Sequence, residues 1–416
     1  MAAFDPATAT AAYMSQLSPA AHAKATAYTQ GGHWLLLWGW LVTLVACWLI
    51  LKSGLLAAIE AKLEGRKPRP ILVSFVASFA FLVLDWVLEL PWASYSQWWR
   101  EGTYGLTSQP WIGWFADNAV VTVIELPVIA LFFTALYGLI RRAPRSWPIW
   151  AGALAGAFFI FGNFVQPVLI EPLINTYKPA PPGPVRELVV ALGKANGVPT
   201  DKIYVYNGSK QSNRYTANVA GMFGTARVAL SDTMFTKGAD LAEVRGVVGH
   251  EMGHYVRLHI LWFTAAIALL VMIAGGLIQA MYPGLRDTLR AREIGGLADP
   301  AGLPLVLMLF TTLSLIATPI NNTITRMEEA DADSFSLQRA KEPDGLAKAL
   351  VKTIEYRASS PSDLEEFLFY DHPSVEHRVR KAMDWKAAHM KTPEAVSAAA
   401  PTPAASAGSA LTPAGR

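Results

Sequence analysis

VVGHEMGHYVRLHILWFTAAIALLVMIAGGL, residues 247–277, carries two patterns that pull in opposite directions. Near its start stands His250-Glu251-Met252-Gly253-His254, an H-E-x-x-H array. On a helix, residues four apart share a face, so both imidazoles can reach one metal ion. Glu251 lies about 100° round the helix from His250, close enough to hold a water beside the metal without ligating it. Such a carboxylate can take the water's proton as the oxygen attacks a carbonyl. From Ile260 onward the stretch is an apolar run of the length that crosses a hydrocarbon core. Hydrolysis needs water and a bilayer excludes it, so the stretch poses the question of how water reaches the metal.

The rest of the chain leans towards the membrane. Of 416 residues, 52% are hydrophobic and only 16% charged, a balance of integral membrane proteins. Fourteen Trp suit bilayer interfaces. A net charge of +3, with no basic stripe interleaved with aromatics, argues against a nucleic-acid partner. A single cysteine, Cys47, allows neither an intramolecular disulfide nor a cysteine-built metal site. It reads as a small apolar residue within a span. The N-terminus has no basic segment followed by an apolar core, so it is not read as a cleavable signal peptide.

Apolar runs of spanning length occur at 34–51, 71–90, 118–140, 147–170, 260–281 and 301–320, which gives about six transmembrane helices. The expected division is an N-terminal tail (1–30), a membrane domain of four spans (31–172), a mixed α+β domain that includes two further spans (173–391), and an Ala/Pro/Ser-rich tail expected to be disordered (392–416). Between 171 and 259, RELVVALGKANGV has helical spacing, while KIYVYNG and ARVALSD alternate as short strands. The polar, glycine-punctuated SKQSNRYTANVAGMFGT between those strands reads as a hairpin or edge connection. Asp240 can cap the motif helix, with Glu243 completing a capping-box pattern.

A catalytic zinc usually takes three protein ligands. NNTITRMEEADADSFSLQRA (321–340) offers the third. Glu329 and Asp333 share a helical face: one can ligate, the other can accept the spare N–H of a ligand histidine. On spacing alone, Glu328 and Asp331 compete with them. His259, five residues past His254, falls off the ligand face and reads as an interfacial residue. Polar residues interrupt the spans at Asp85, Glu89, Glu125, Asn163 and Gln166. Facing lipid would be costly, so a cavity lining is expected, with Glu125 in the interior and Glu89 near the boundary.

The pattern H-E-x-x-H, a pair of spans, then TRMEEADADSF resembles the type I CAAX prenyl endopeptidases and their bacterial relatives, integral-membrane zinc metallopeptidases. Arg326, Glu329, Ala332, Asp333 and Phe335 match that family's second motif, with Thr325 in place of serine, and this register selects Glu329 as the ligand. SNRYTANVAGMFGTARVALSDTM (212–234) resembles the segment and edge strand that pair with extended substrate, although Arg214 stands where alanine is usual. The resemblance implies that substrate lies beside Asn218, Val219, Ala220 and Gly221. DHPSVEHRV (371–379) keeps His372 and Arg378, with Ser374 replacing a second proline. By the same resemblance His372 donates a hydrogen bond to the oxyanion, and Arg378 stands behind the ligands with Asp333. LPWASYSQWWREGTYGLTSQ (90–109) extends the match into the N-terminal half.

The resemblance implies a mainly α, polytopic membrane protein. About six transmembrane helices would enclose a cavity, with a gluzincin-like α+β zinc peptidase domain. It lacks the first span of eukaryotic members. It also implies one catalytic zinc held by His250, His254 and Glu329, with Glu251 as general base. The partners would be a peptide or protein substrate, prenylated in one version, and the lipid bilayer, that of a bacterial inner membrane for a bacterial-type member. A broad quality-control peptidase for membrane proteins is the alternative substrate reading. A zinc-containing channel or binding protein without catalysis is the alternative class. Lys52, Lys62, Arg66, Lys67 and Arg69 after the first span, with arginines after the third and fifth, place the motifs outside the cytoplasm by the positive-inside rule. The eukaryotic members face the cytosol, so the two indications disagree.

Overall fold

A computed structural model of the chain describes residues 4–64, 68–221 and 226–389. The tail from 392, expected to be disordered, lies outside the described residues. The main helices are α1 (Pro6–Met14), α2 (Pro19–Ser53), α3 (Pro70–Ala93), α4 (Trp111–Arg142), α5 (Trp147–Val165), α6 (Pro184–Asn196), α7 (Leu241–Val256), α8 (His259–Thr288), α9 (Leu303–Arg339), α10 (Pro343–Lys352) and α11 (Val375–His389). Among the described residues, six helices are long and apolar enough to cross a membrane: α2, α3, α4, α5, α8 and α9. They carry the six apolar runs, of which 147–170 continues past α5 into a π-helical turn (Gln166–Ile170) and 301–320 begins in a short turn (Pro300–Gly302) before α9.

The spans share one buried cluster in which Cys47, Phe81, Tyr137, Trp147, Ile278 and Leu303 meet. Helices α5 and α8 approach closely because small residues line their contact. A Cβ on Gly152 would lie 2.4 Å from the Ala268 carbonyl oxygen, the kind of close backbone approach that small residues allow between spans. Glu125 is exposed on α4 and not packed between spans. Which face a span buries is set by its neighbours rather than by its own sequence. Glu89 accepts a hydrogen bond from Thr43 of α2 (2.6 Å).

Residues 4–30, part of the expected tail, form α1 and the opening turns of α2. Ser18 accepts from the Ala21 N–H and Pro19 occupies the first turn, so the sequence starts α2 before its apolar run begins. Helix α1 packs against α11, and Tyr13 donates to Asp344 (2.8 Å).

The mixed region holds a four-stranded sheet of β1 (Tyr177–Pro179), β2 (Ile203–Tyr206), β3 (Ala217–Ala220) and β4 (Arg227–Ser231), in the order β1-β2-β4-β3. β2 and β4 are parallel and the other pairs antiparallel. β4 is buried throughout, where alternation would expose one face, because it lies between β2 and β3 in the sheet; β3 is an edge strand packed on α7. β1 escaped the sequence reading; three residues are too few to show a period.

Helix α7 crosses α9 at short range. A Cβ on Gly249 would come within 2.8 Å of Ala340 Cβ, and one on Gly253 within 3.0 Å of Ala332 Cα. Glycine at these positions lets the helices touch backbone to backbone, and Ser336 uses the contact to donate to the Gly246 carbonyl (2.7 Å). This crossing brings the H-E-x-x-H face of α7 against the acidic segment of α9.

Candidate active site

Asp240 accepts a hydrogen bond from the Glu243 N–H (2.8 Å) and starts α7 two turns before the motif. The Glu243 side chain does not reach back as a full capping box would. It accepts instead from Tyr215 (3.1 Å) and Lys352 (2.6 Å), tying α7 to the β3 approach and to α10. Burial and the Glu243 carboxylate hold the Tyr215 phenol well above its ordinary range, so it stays a donor.

Three side chains converge on one point. His250 Nε2 lies 3.1 Å from His254 Nε2 and 3.2 Å from Glu329 Oε2, and His254 Nε2 lies 3.3 Å from Glu329 Oε1. A tetrahedral ion with ligand bonds near 2.0–2.1 Å keeps its ligand atoms about 3.3 Å apart. His250, His254 and Glu329 therefore fit a metal ion. The charge fits too. Burial pushes the His250 imidazole down, but the Glu329 and Asp333 carboxylates outweigh it and push it up to about 10. The site attracts positive charge to that nitrogen. Glu329 Oε2 is buried and makes no hydrogen bond of regular geometry, having only His250 Nε2 (3.2 Å) and Arg378 Nη2 (3.5 Å) near it, so a ligand bond to a metal would satisfy it.

Behind His250 stands a buried pair. Asp333 Oδ1 lies 2.9 Å from His250 Nδ1, and Arg378 grips Asp333 with Nε and Nη2, both at 2.8 Å. Asp333 is 1% exposed and Arg378 6%, so each charge depends on the other. A carboxylate on Nδ1 fixes the tautomer that leaves Nε2 free to ligate.

His254 is held differently. Its Nδ1 lies 2.9 Å from His259 Nδ1, and His259 Nε2 lies 3.1 Å from Asp331 Oδ2. The sequence reading placed His259 off the ligand face and Asp331 among the candidate ligands. His259 does stay out of the donor set, but it is buried behind His254, and Asp331 contacts His259 instead of joining the donors; Leu258, with φ 57°, ends α7 and starts α8. Glu328 is not among the three converging donors and lines a second cavity that His254 also borders.

Glu251 lines the main cavity, about 350 Å³, beside His250, Glu329 and Arg378. Burial pushes its carboxyl above the ordinary range, against the pull of His250 and His254. His372 reaches the same cavity: its Nε2 is 3.2 Å from Glu329 Oε1 and its Nδ1 is 2.8 Å from Asp371. Its segment is held by α9, where Arg326 donates to the carbonyls of Glu366 (2.9 Å) and Tyr370. Arg357, which the sequence reading did not single out, approaches His372 Nε2 (3.4 Å).

A second cavity of about 670 Å³ opens on the other side of His254. Its walls come from β3 (Val219, Ala220), the spans (Asn163, Ile260, Phe263) and α9 (Glu328). The metal-ligand set thus faces space partly enclosed by membrane helices. Asn218 pairs with Ala229 and its side-chain Oδ1 is buried without a partner. The other edge of β3 is free to pair with an extended chain.

The approach to β3 joins the two halves of the molecule. Asn213 donates to the carbonyls of Leu106 (2.8 Å) and Gly105 (3.0 Å), and Thr107 donates to that of Gln211 (2.6 Å). Arg214, in place of the usual alanine, pairs with Glu101 (2.6 Å) and donates to the Tyr28 hydroxyl (2.8 Å).

Comparison with known proteins places the chain in a family. Residues 179–386 match the model of peptidase family M48, and residues 6–176 match that of the CAAX prenyl protease N-terminal region, described as five membrane helices. A Bacillus subtilis protein named as an uncharacterized metalloprotease, YhfN, is 30% identical, covering 80% of this chain and 79% of its own. CAAX prenyl protease 1 of Saccharomyces cerevisiae is 25% identical over 76% of this chain and 74% of its own. Its homolog in Arabidopsis thaliana is 26% identical over 73% and 72%. The crystal structure of S. mikatae Ste24p shares the fold, with a TM-score of 0.73 at 20% identity over 88% of this chain and 90% of that one.

Proposed function

The chain belongs to peptidase family M48 and is a CAAX prenyl protease-like, multi-pass membrane metalloprotease; on that premise we propose that its metal is zinc, held by His250, His254 and Glu329. The observation that carries the proposal is the triangle of donor atoms 3.1–3.3 Å apart with Glu251 beside it. All-N/O donors in this number suit zinc and leave a position open for chemistry. A bound zinc supplies Lewis acidity, making a water acidic enough to lose its proton near neutral pH.

The chain's own residues do the rest. Substrate adds to the free edge of β3 along Asn218–Gly221, and main-chain hydrogen bonds hold it extended. Glu251 takes the proton of the attacking water and passes it to the leaving amine. His372 donates to the carbonyl oxygen as charge develops there. Asp333 and Arg378 keep His250 in its ligating tautomer. The division of labour follows the expected domains: 31–172 and the spans of 173–391 enclose the cavity, while the α+β part carries the chemistry.

The substrate class follows from the relatives named CAAX prenyl proteases: a peptide ending in a prenylated CAAX sequence, reached from the bilayer. The broader quality-control reading rests on the mostly apolar lining of the second cavity, which would take an apolar side chain as readily as a prenyl chain. The test is chelator-sensitive cleavage of matched prenylated and unprenylated peptides by the purified protein. Faster cleavage of the prenylated peptide is expected. Equal rates would remove the prenyl requirement, and cleavage that survives chelation would remove the metal.

A further inference from the structure

Among the three donors, His254 is the one whose outer nitrogen is not served by the buried Asp333–Arg378 pair. We propose that His259 and Asp331 form a separate arm that positions His254 for the metal. The inference rests on the metal assignment above. If His254 turns Nε2 to the metal, its proton sits on Nδ1 and is donated to His259 Nδ1, 2.9 Å away. His259 then carries its own proton on Nε2 and donates it to Asp331 Oδ2, 3.1 Å away. Each link fixes the tautomer of the next. The opposite assignment would aim an N–H of His254 at His250 Nε2 and remove its capacity to ligate.

The backbone is shaped for this contact. In an unbroken helix His259 would sit about 140° round from His254, out of reach. Leu258 takes φ 57°, a left-handed conformation that is unfavourable for a leucine. The break turns the His259 ring edge-on to His254, with centroids 4.9 Å apart and planes at 80°. His259 is 6% exposed, and both of its nitrogens are satisfied by this chain of contacts. Asp331 stands on α9 midway between Glu329 and Asp333, so one helix supplies a ligand and a support for each histidine. Arg257 lies 3.4 Å from Asp331 on its open side. His259 is also the first residue of a membrane span, so the seat of α8 and the aim of a metal ligand are set by one residue.

The test compares two replacements of opposite character in the full-length, detergent-purified protein. His259→Gln keeps an acceptor and a donor but loses ring volume; His259→Phe keeps the ring and loses both hydrogen bonds. The readouts are the zinc dissociation constant by competition with a chromophoric chelator and the visible spectrum of the cobalt(II)-loaded protein, with thermal unfolding as the check on folding. We expect His259→Phe to bind zinc about 10–100-fold more weakly, the cost of losing such an outer partner, with a changed cobalt spectrum. His259→Gln should stay within severalfold of the parent. Phe at parental affinity with Gln weakened would mean packing alone and overturn the arm, and so would equal affinities in all three proteins or equal losses in both variants. His254→Ala runs alongside: zinc retained at full affinity there would refute the ligand assignment itself, a failure distinct from that of the arm.

Discussion

The two histidines of the motif are supported from behind in contrasting ways. His250 leans on Asp333 and Arg378, a charged pair closed inside the peptidase domain. His254 leans on His259, which starts a membrane span, and the chain of contacts ends at Asp331, whose side chain is 43% exposed. One ligand is anchored in a rigid, buried network. The other is anchored at the boundary between peptidase and membrane. The difference suggests that integrity of the fold and aim of the metal ligands have been placed on opposite sides of the ion.

Substitutions that should separate the two sides rank by burial. Asp333→Ala leaves the buried Arg378 guanidinium with only the longer contact to Glu329 (3.5 Å), and breaking a buried pair typically costs about 3–5 kcal/mol; a large fall in unfolding midpoint is expected, and a stable Asp333→Ala protein would show the pair to be dispensable. Gly249→Val forces side-chain atoms into the α7–α9 crossing, where overpacking costs about 1–3 kcal/mol. It should weaken stability and metal binding together, because His250 and Glu329 sit on the two separated helices. Asp331→Asn removes a half-exposed charge, so stability should move by less than about 1 kcal/mol, while zinc affinity measured by chelator competition falls severalfold. Loss of fold in that variant would erase the contrast. Leu258→Gly accepts the left-handed backbone without a Cβ and should keep the metal, with stability within about 1 kcal/mol of the parent. Weakened binding there would mean that the leucine side chain itself holds the turn.

Much of this site was legible in the sequence. The i, i+4 spacing of His250 and His254 and that of Glu329 and Asp333 depend on helical geometry alone, and Asp240 announced the helix that carries the first pair. The six apolar runs emerged as six helices of spanning length. What stayed hidden depends on contacts distant in sequence. His259 looked remote because nothing local reveals that Leu258 would turn left-handed. The exposure of Glu125 reflects how α4 is rotated against its neighbours. Helix α1 is short and gains its place from α11, so its own residues read as a tail.

The most direct test of the account is to replace Glu251 with alanine and measure metal content and peptide cleavage on one preparation. The structure places Glu251 in the cavity beside the three donors, not among them. The predicted result is one bound metal ion per chain, as in the parent, with cleavage abolished. Cleavage that persists in Glu251→Ala would contradict its role as the base, and loss of the metal would contradict the three-ligand assignment.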